Sequence, residues 1–132
     1  MLTGFEEQTK PLTEREETEY LPPILQGLSV RIGKDKAITN KEMKRGLMVN
    51  RGIEISEARV RKIINHIRCQ NLIPCLIATS DGYYVAETEQ ELIDYEDSLA
   101  GREEAIREVR LSIRQQRMMK YHMNKQLSLF ET

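Results

Sequence analysis

Apolar and polar residues alternate along this chain in three distinct rhythms. In Ile55–Gln70, ISEARVRKIINHIRCQ, the residues Val60, Ile63, Ile64 and Ile67 fall at i, i+3, i+4 and i+7. That spacing puts one apolar stripe on a helix. Ser56 precedes it as a helix N-cap, its hydroxyl available to an amide that lacks a helical partner. The other side carries Ala58, Arg61, Lys62, Asn65 and Cys69, flanked by Arg59, His66 and Arg68. A short helix with an apolar back and a face of Arg, Lys and Asn suits DNA reading: Arg and Lys reach guanine and phosphate, and Asn pairs with adenine. The same pattern also describes a core helix with an ordinary solvated face.

Two helices precede it. Thr13 and Glu16 form the T-x-x-E capping box of the first. Leu21, Ile24, Leu25, Leu28 and Ile32 give it an apolar face, and Gly33 is placed to stop it. Pro22-Pro23 removes two amide donors inside this stretch, so the helix either kinks or restarts with proline in its first turn. Ala37-Ile38 reads as a short extended piece. Thr39 and Glu42 are a second capping box, opening a helix in which Met43, Leu47 and Met48 point inward and which Gly52 ends.

After the Ile55–Gln70 helix the rhythm changes to that of strands. CLIATSDGYYVAE predicts a β-hairpin, with Cys75–Thr79 and Tyr83–Ala86 joined at Ser80-Asp81-Gly82, because Asp-Gly between two β-prone runs favours a tight turn. The third rhythm begins at a third capping box, Thr88 with Glu91. Leu92, Leu99, Ile106 and Ile113 recur every seven residues, with Tyr95, Arg102, Val109 and Gln116 at the second seam position. A sustained seven-residue repeat predicts a coiled coil, most simply a homodimer through 88–120. Arg102 and Gln116 weaken that seam, and Gly101 is a point where the helix could break. The alternative is a helix whose first half packs on its own domain while the second half is solvated.

The chain therefore divides into a loose N-terminal arm (1–12), a domain of three helices and a hairpin (13–87), a long helix (88–123) and a terminal tail (124–132). The fold class is α+β and mostly helical. With 132 residues, 39% hydrophobic and 31% charged, there is material for one domain and an extension. The net charge of -1 hides a strong segregation. Between Arg31 and Arg68 there are eleven Lys or Arg against four Asp or Glu; from Asn71 to Ala100 there are seven acids and no Lys or Arg. A basic block between acidic ones fits a local polyanion footprint. The tail helix carries a further seven cations from Arg102 to Lys125 against three glutamates, a second phosphate contact or a solvated face.

Cys69 and Cys75 read as free thiols, and no His or Cys spacing suits zinc. No apolar run reaches membrane-span length, and MLTGFEEQTK is no signal peptide, so a cytoplasmic protein without a membrane partner is expected. No cofactor is implied. There is no phosphate-cradling glycine loop and no nucleophile arrangement that spacing supports, so a non-enzymatic role is expected.

The order of helix, helix, basic helix and hairpin, carried by ITNKEM, ISEARVRKIINHIR and IPCLIATSDGYYVAET, resembles small winged helix-turn-helix proteins of phages and prophages, over about Thr13 to Ser112. The resemblance implies double-stranded DNA as partner, in replication or gene regulation. The third helix would enter the major groove, and the hairpin would touch backbone or minor groove. Carried over to this chain, the base readers would be Arg59, Arg61, Lys62, Asn65 and His66. Thr39 and Ser56, near helix starts, would contact phosphate, as would Lys41, Lys44, Arg45 and Arg51. The hairpin tip departs from a DNA-gripping wing, having an acid, Asp81, and no cation.

Gln126-Leu127-Ser128-Leu129-Phe130 is similar to the pentapeptide by which bacterial replication and repair proteins bind the sliding clamp. That resemblance implies Leu127, Leu129 and Phe130 as anchors in an apolar pocket and Gln126 as a hydrogen-bonding edge. It makes a clamp-docking adapter the alternative function. The same apolar residues could instead pack on the protein's own surface or on a dimer mate.

Overall fold

Each helix start is fixed by the local signal that predicted it. The structure, a computed structural model, describes residues 7–123, so the QLSLF peptide lies outside the described residues. Thr13 and Glu16 form a complete capping box: the Thr13 amide donates to Glu16 Oε1 at 2.9 Å, and the Glu16 amide donates to Thr13 Oγ1 at 3.2 Å. The first turns then widen into a π-helical segment, Glu16–Tyr20, before α1, Leu21–Ser29. Pro22 and Pro23 are the cause. Neither can donate, and the Leu21 amide reaches back to the Glu16 carbonyl instead. The prolines thus sit in the first turn of a new helix, one of the two expected outcomes.

α1 ends at Ser29, four residues before Gly33. The reason is a competing set of backbone partners: Val85 donates to the Arg31 carbonyl at 2.7 Å, and Gly33 donates to the Val85 carbonyl at 2.9 Å. Ile32 consequently leaves the helical face expected for it and stands 55% exposed in a parallel bridge to Val85.

A 3₁₀ turn, Lys34–Lys36, leads to Ile38 and then α2, Asn40–Arg51. Thr39 and Glu42 make both halves of the capping box. Gly52 closes α2 in the left-handed region at φ 63°, where a side chain would be strained. Met43 and Leu47 are buried. Met48, expected inside, is 47% exposed because it lies about 100° around the helix from Leu47. α3 spans Glu57–Cys69, capped by the Ser56 hydroxyl, which accepts from the Arg59 amide at 3.2 Å. Its predicted stripe of Val60, Ile63, Ile64 and Ile67 is fully buried.

The hairpin consists of β1, Leu76–Thr79, and β2, Gly82–Val85, antiparallel, with Leu76 opposite Val85 and Ile77 opposite Tyr84. The turn is the two residues Ser80-Asp81, so Gly82 belongs to the strand. Ile38 adds a bridge on the other edge of β2, exchanging both backbone hydrogen bonds with Tyr83 at 3.0 and 2.8 Å. Gly82 is required there. Its φ is 120°, and a Cβ would come within 2.5 Å of the Ile38 carbonyl. The Tyr83 hydroxyl donates to Asn40 Oδ1 at 3.0 Å, tying the hairpin to the start of α2.

The core gathers Tyr20, Ile24 and Leu28, Met43 and Leu47, the α3 stripe, and Ile38, Ile55, Ile73 and Leu76. Leu12 packs against it from the N-terminal side. The chain falls into two units that part between Leu92 and Ile93. α4, Glu89–Met118, is followed by a π-helical turn, Met119–Met123, and has no buried residue. The protein is thus mostly helical, with one small antiparallel sheet and a long C-terminal helix. Among the described residues no helix is long and apolar enough to cross a membrane.

Candidate nucleic-acid interface

Two lines of polar side chains on α3 meet different surroundings, and this divides the residues expected to read DNA. Lys62 was expected on the outer face. It is instead buried, with its Nζ 2.7 Å from Glu16 Oε1 and the side chains 11% and 3% exposed. Arg59 joins the same carboxylate from the other oxygen, Nε to Oε2 at 3.3 Å, and lies over the Tyr20 ring at 5.4 Å. Burial alone would push the Glu16 carboxyl up. The Lys62 hydrogen bond, the Thr13 amide and the charges of Lys62 and Arg59 outweigh it, so the group is held below the ordinary carboxylate range. Glu16 thereby neutralises one expected base reader and partly engages another.

Asn65 and His66 follow on the same side. Asn65 Nδ2 donates to the Gln8 carbonyl at 3.1 Å, and both residues line a cleft with Gln8, Leu12 and Cys69. The described part of the arm expected to be loose is engaged there: Gln8 is bonded and Leu12 is packed. Asn65 is therefore half-buried against its own chain and not displayed as an open base reader. The expectation for Lys62 is corrected outright. Its ammonium donates to Glu16, and withdrawing it toward a duplex would leave a buried carboxylate with only Arg59 and the Thr13 amide as partners.

Arg61 is different. It is exposed, on one helical line with Ala58, and makes no ion pair among the described residues. On α2, Lys41, Lys44 and Arg45 are all exposed and occupy i, i+3 and i+4, one face of the helix just after its N-terminus. They too make no ion pair among the described residues. Arg51 donates to the Gln26 side chain. Thr39 and Ser56 spend their hydroxyls on capping, accepting from the Glu42 and Arg59 amides.

Lys34 and Lys36, exposed in the 3₁₀ turn just ahead of α2, were not singled out as site residues. Their membership in the Arg31–Arg68 basic block was the available signal. In the sequence Glu16 stands out only as half of a capping box. Its link to Lys62, 46 residues away, left no local trace.

The Ser80-Asp81 tip is exposed, its Asp81 amide donating to Thr79 Oγ1 at 3.2 Å. Among the described residues no group of His, Cys, Asp or Glu side chains could hold a metal ion. Comparison with protein-family models, with curated proteins and with solved structures gave no match.

Proposed function

We propose that the 13–87 domain is a winged helix-turn-helix that binds double-stranded DNA, mainly through the basic stripe of α2 and Arg61 of α3. The support is the element order: α1, an extended Ile38, α2, α3 and a hairpin whose second strand pairs with Ile38. The observation that carries the binding reading is the exposed trio Lys41, Lys44 and Arg45, without an ion pair among the described residues, on one face beside a helix N-terminus. That end of a helix adds a favourable field for phosphate. Phosphate contacts dominate this footprint, because Lys62 and Asn65 are engaged within the chain. Such binding is strongly salt-dependent and weakly sequence-selective. A role in phage or prophage replication or gene regulation rests on the resemblance alone.

The test is gel-shift titration with the full chain and a variant carrying Lys41→Ala, Lys44→Ala and Arg45→Ala. The triple variant should bind a 20-base-pair duplex at least 30-fold more weakly at low salt. Equal affinity would remove α2 from the interface and overturn the proposal.

The alternative reading is a non-enzymatic adapter that docks on the bacterial sliding clamp through Gln126, Leu127, Leu129 and Phe130. One structural observation favours it: Glu16 and Gln8 engage three of the five side chains expected to read bases, Arg59, Lys62 and Asn65. Leu129→Ala with Phe130→Ala should abolish clamp capture while leaving duplex binding intact, and loss of neither would exclude this reading.

A further inference from the structure

α4 displays apolar side chains that no described residue of its own unit covers. Ile106, Val109 and Ile113 are 69%, 64% and 56% exposed. They stand at i, i+3 and i+7, one line along the helix, and Leu99 extends the line toward the N-terminus. The charges along α4 are just as ordered. Asp94, Glu96 and Asp97 crowd the N-terminal part, and Arg110, Arg114, Arg117 and Lys120 the C-terminal part. Beside the seam set by Leu99, Ile106 and Ile113, one flank reads Glu96, Glu103, Arg110, Arg117. The other flank reads Ser98, Ala105, Ser112, Met119, with no charge at all.

We propose that this helix pairs with a second copy of itself in antiparallel orientation, centred between Arg107 and Glu108. The repeat alone suggests a dimer; the distribution of charge gives it a direction. In an antiparallel pair the same flank of each helix meets its counterpart. Glu96 then faces Arg117 of the second copy and Glu103 faces Arg110, each twice by symmetry, giving four ion pairs and no like-charge contact. In the same register Ile106 packs beside Val109 of the second copy, in both directions. Arg102 lies beside Ile113 and Lys120 beside Tyr95, so neither cation meets another in the seam.

The parallel, in-register dimer fails on both counts. It pairs opposite flanks, so Glu103, Arg110 and Arg117 would face only Ser98, Ala105 and Ser112. It also stacks Arg102 on Arg102 and Lys120 on Lys120 within the apolar seam, where like charges are least tolerated. The antiparallel arrangement separates the two Ile93 positions by about 44 Å along the axis, at 1.5 Å per residue. This inference does not depend on DNA binding and is tested without DNA.

Sedimentation equilibrium of the full chain at low ionic strength reads it directly. The unaltered protein should dimerise. Glu96→Arg with Glu103→Arg should raise the dimer dissociation constant at least tenfold, as should Arg110→Glu with Arg117→Glu. Combining all four changes should restore it to within about threefold. The substituted positions are exposed, so circular dichroism should report unchanged folding of the N-terminal domain. A monomeric unaltered protein, a double variant that dimerises normally, or a quadruple variant that stays dissociated would each overturn the proposal.

Discussion

The Lys62 ammonium lies 2.7 Å from the Glu16 carboxylate, and both side chains are almost wholly out of water. Two segments far apart in the chain are locked by this pair, the first helical turn and the middle of α3. It also turns inward a side chain expected on the outer face of α3. Breaking such a pair by removing one partner leaves an uncompensated buried charge. Glu16→Ala should therefore destabilise the fold by about 3 kcal/mol. Glu16→Leu with Lys62→Met should recover most of that loss, because it strands no charge. Urea unfolding of the variants measures both, and a Glu16→Ala loss no larger than that of a surface change would contradict the account.

The same pair gives the domain an acid limit. The Glu16 carboxyl is depressed in the folded state relative to its ordinary 4.5, since Lys62, Thr13 and Arg59 together outweigh burial. A depressed carboxyl stabilises the fold above the unfolded value, and that contribution is lost as pH falls through the lower folded value. Stability should thus decline from about pH 4.5 downward. The Glu16→Leu, Lys62→Met double variant should show a flatter acid limb in thermal melts recorded across that range. An identical slope in both proteins would mean that other carboxyls carry the dependence.

Arg61 and Lys62 are neighbours in sequence and should behave oppositely. Arg61→Ala should leave stability within about 0.5 kcal/mol, as exposed changes do, and lower the salt dependence of duplex binding by about one counterion. Lys62→Ala should lower stability by about 2 kcal/mol or more and leave the salt slope of the folded fraction unchanged. Reversal of the two phenotypes would place Lys62, not Arg61, on the DNA.

Two glycines make a contrasting pair. Gly82→Ala puts a Cβ within 2.5 Å of the Ile38 backbone at φ 120°, so it should cost about 2 kcal/mol or more through strain and lost pairing. Gly101→Ala meets nothing within 4 Å in the middle of α4, and should raise helicity and stabilise α4 by up to about 1 kcal/mol. Differential thermal melts and the helical signal at 222 nm separate the two.

What could be read in advance followed from local physics. Capping boxes at Thr13, Thr39 and Thr88, the Ser56 cap, the α3 stripe and the Asp-Gly hairpin depend on residues within a few positions of one another, and their helices and strands formed as expected. Apart from Met48, misplaced by its angle on α2, the errors came from distant partners. Ile32 left its helix because Val85 offered backbone bonds, and Lys62 turned inward because Glu16 awaited it. Asn65 was covered because Gln8 and Leu12 fold back over α3. A helical wheel shows which residues share a face, but it cannot show what a distant segment lays against that face. The α2 stripe stayed available because none of the described residues pairs with it.

The central claim is that a small set of exposed cations neutralises DNA phosphates. Fluorescence anisotropy with a labelled random duplex, over a salt series from low to physiological concentration, tests it most directly. With Lys41, Lys44, Arg45 and Arg61 engaged, log affinity should fall against log salt with a slope near -3 to -4, from about -0.9 per phosphate neutralised. Absence of binding at the lowest salt, or binding that salt does not weaken, would contradict it.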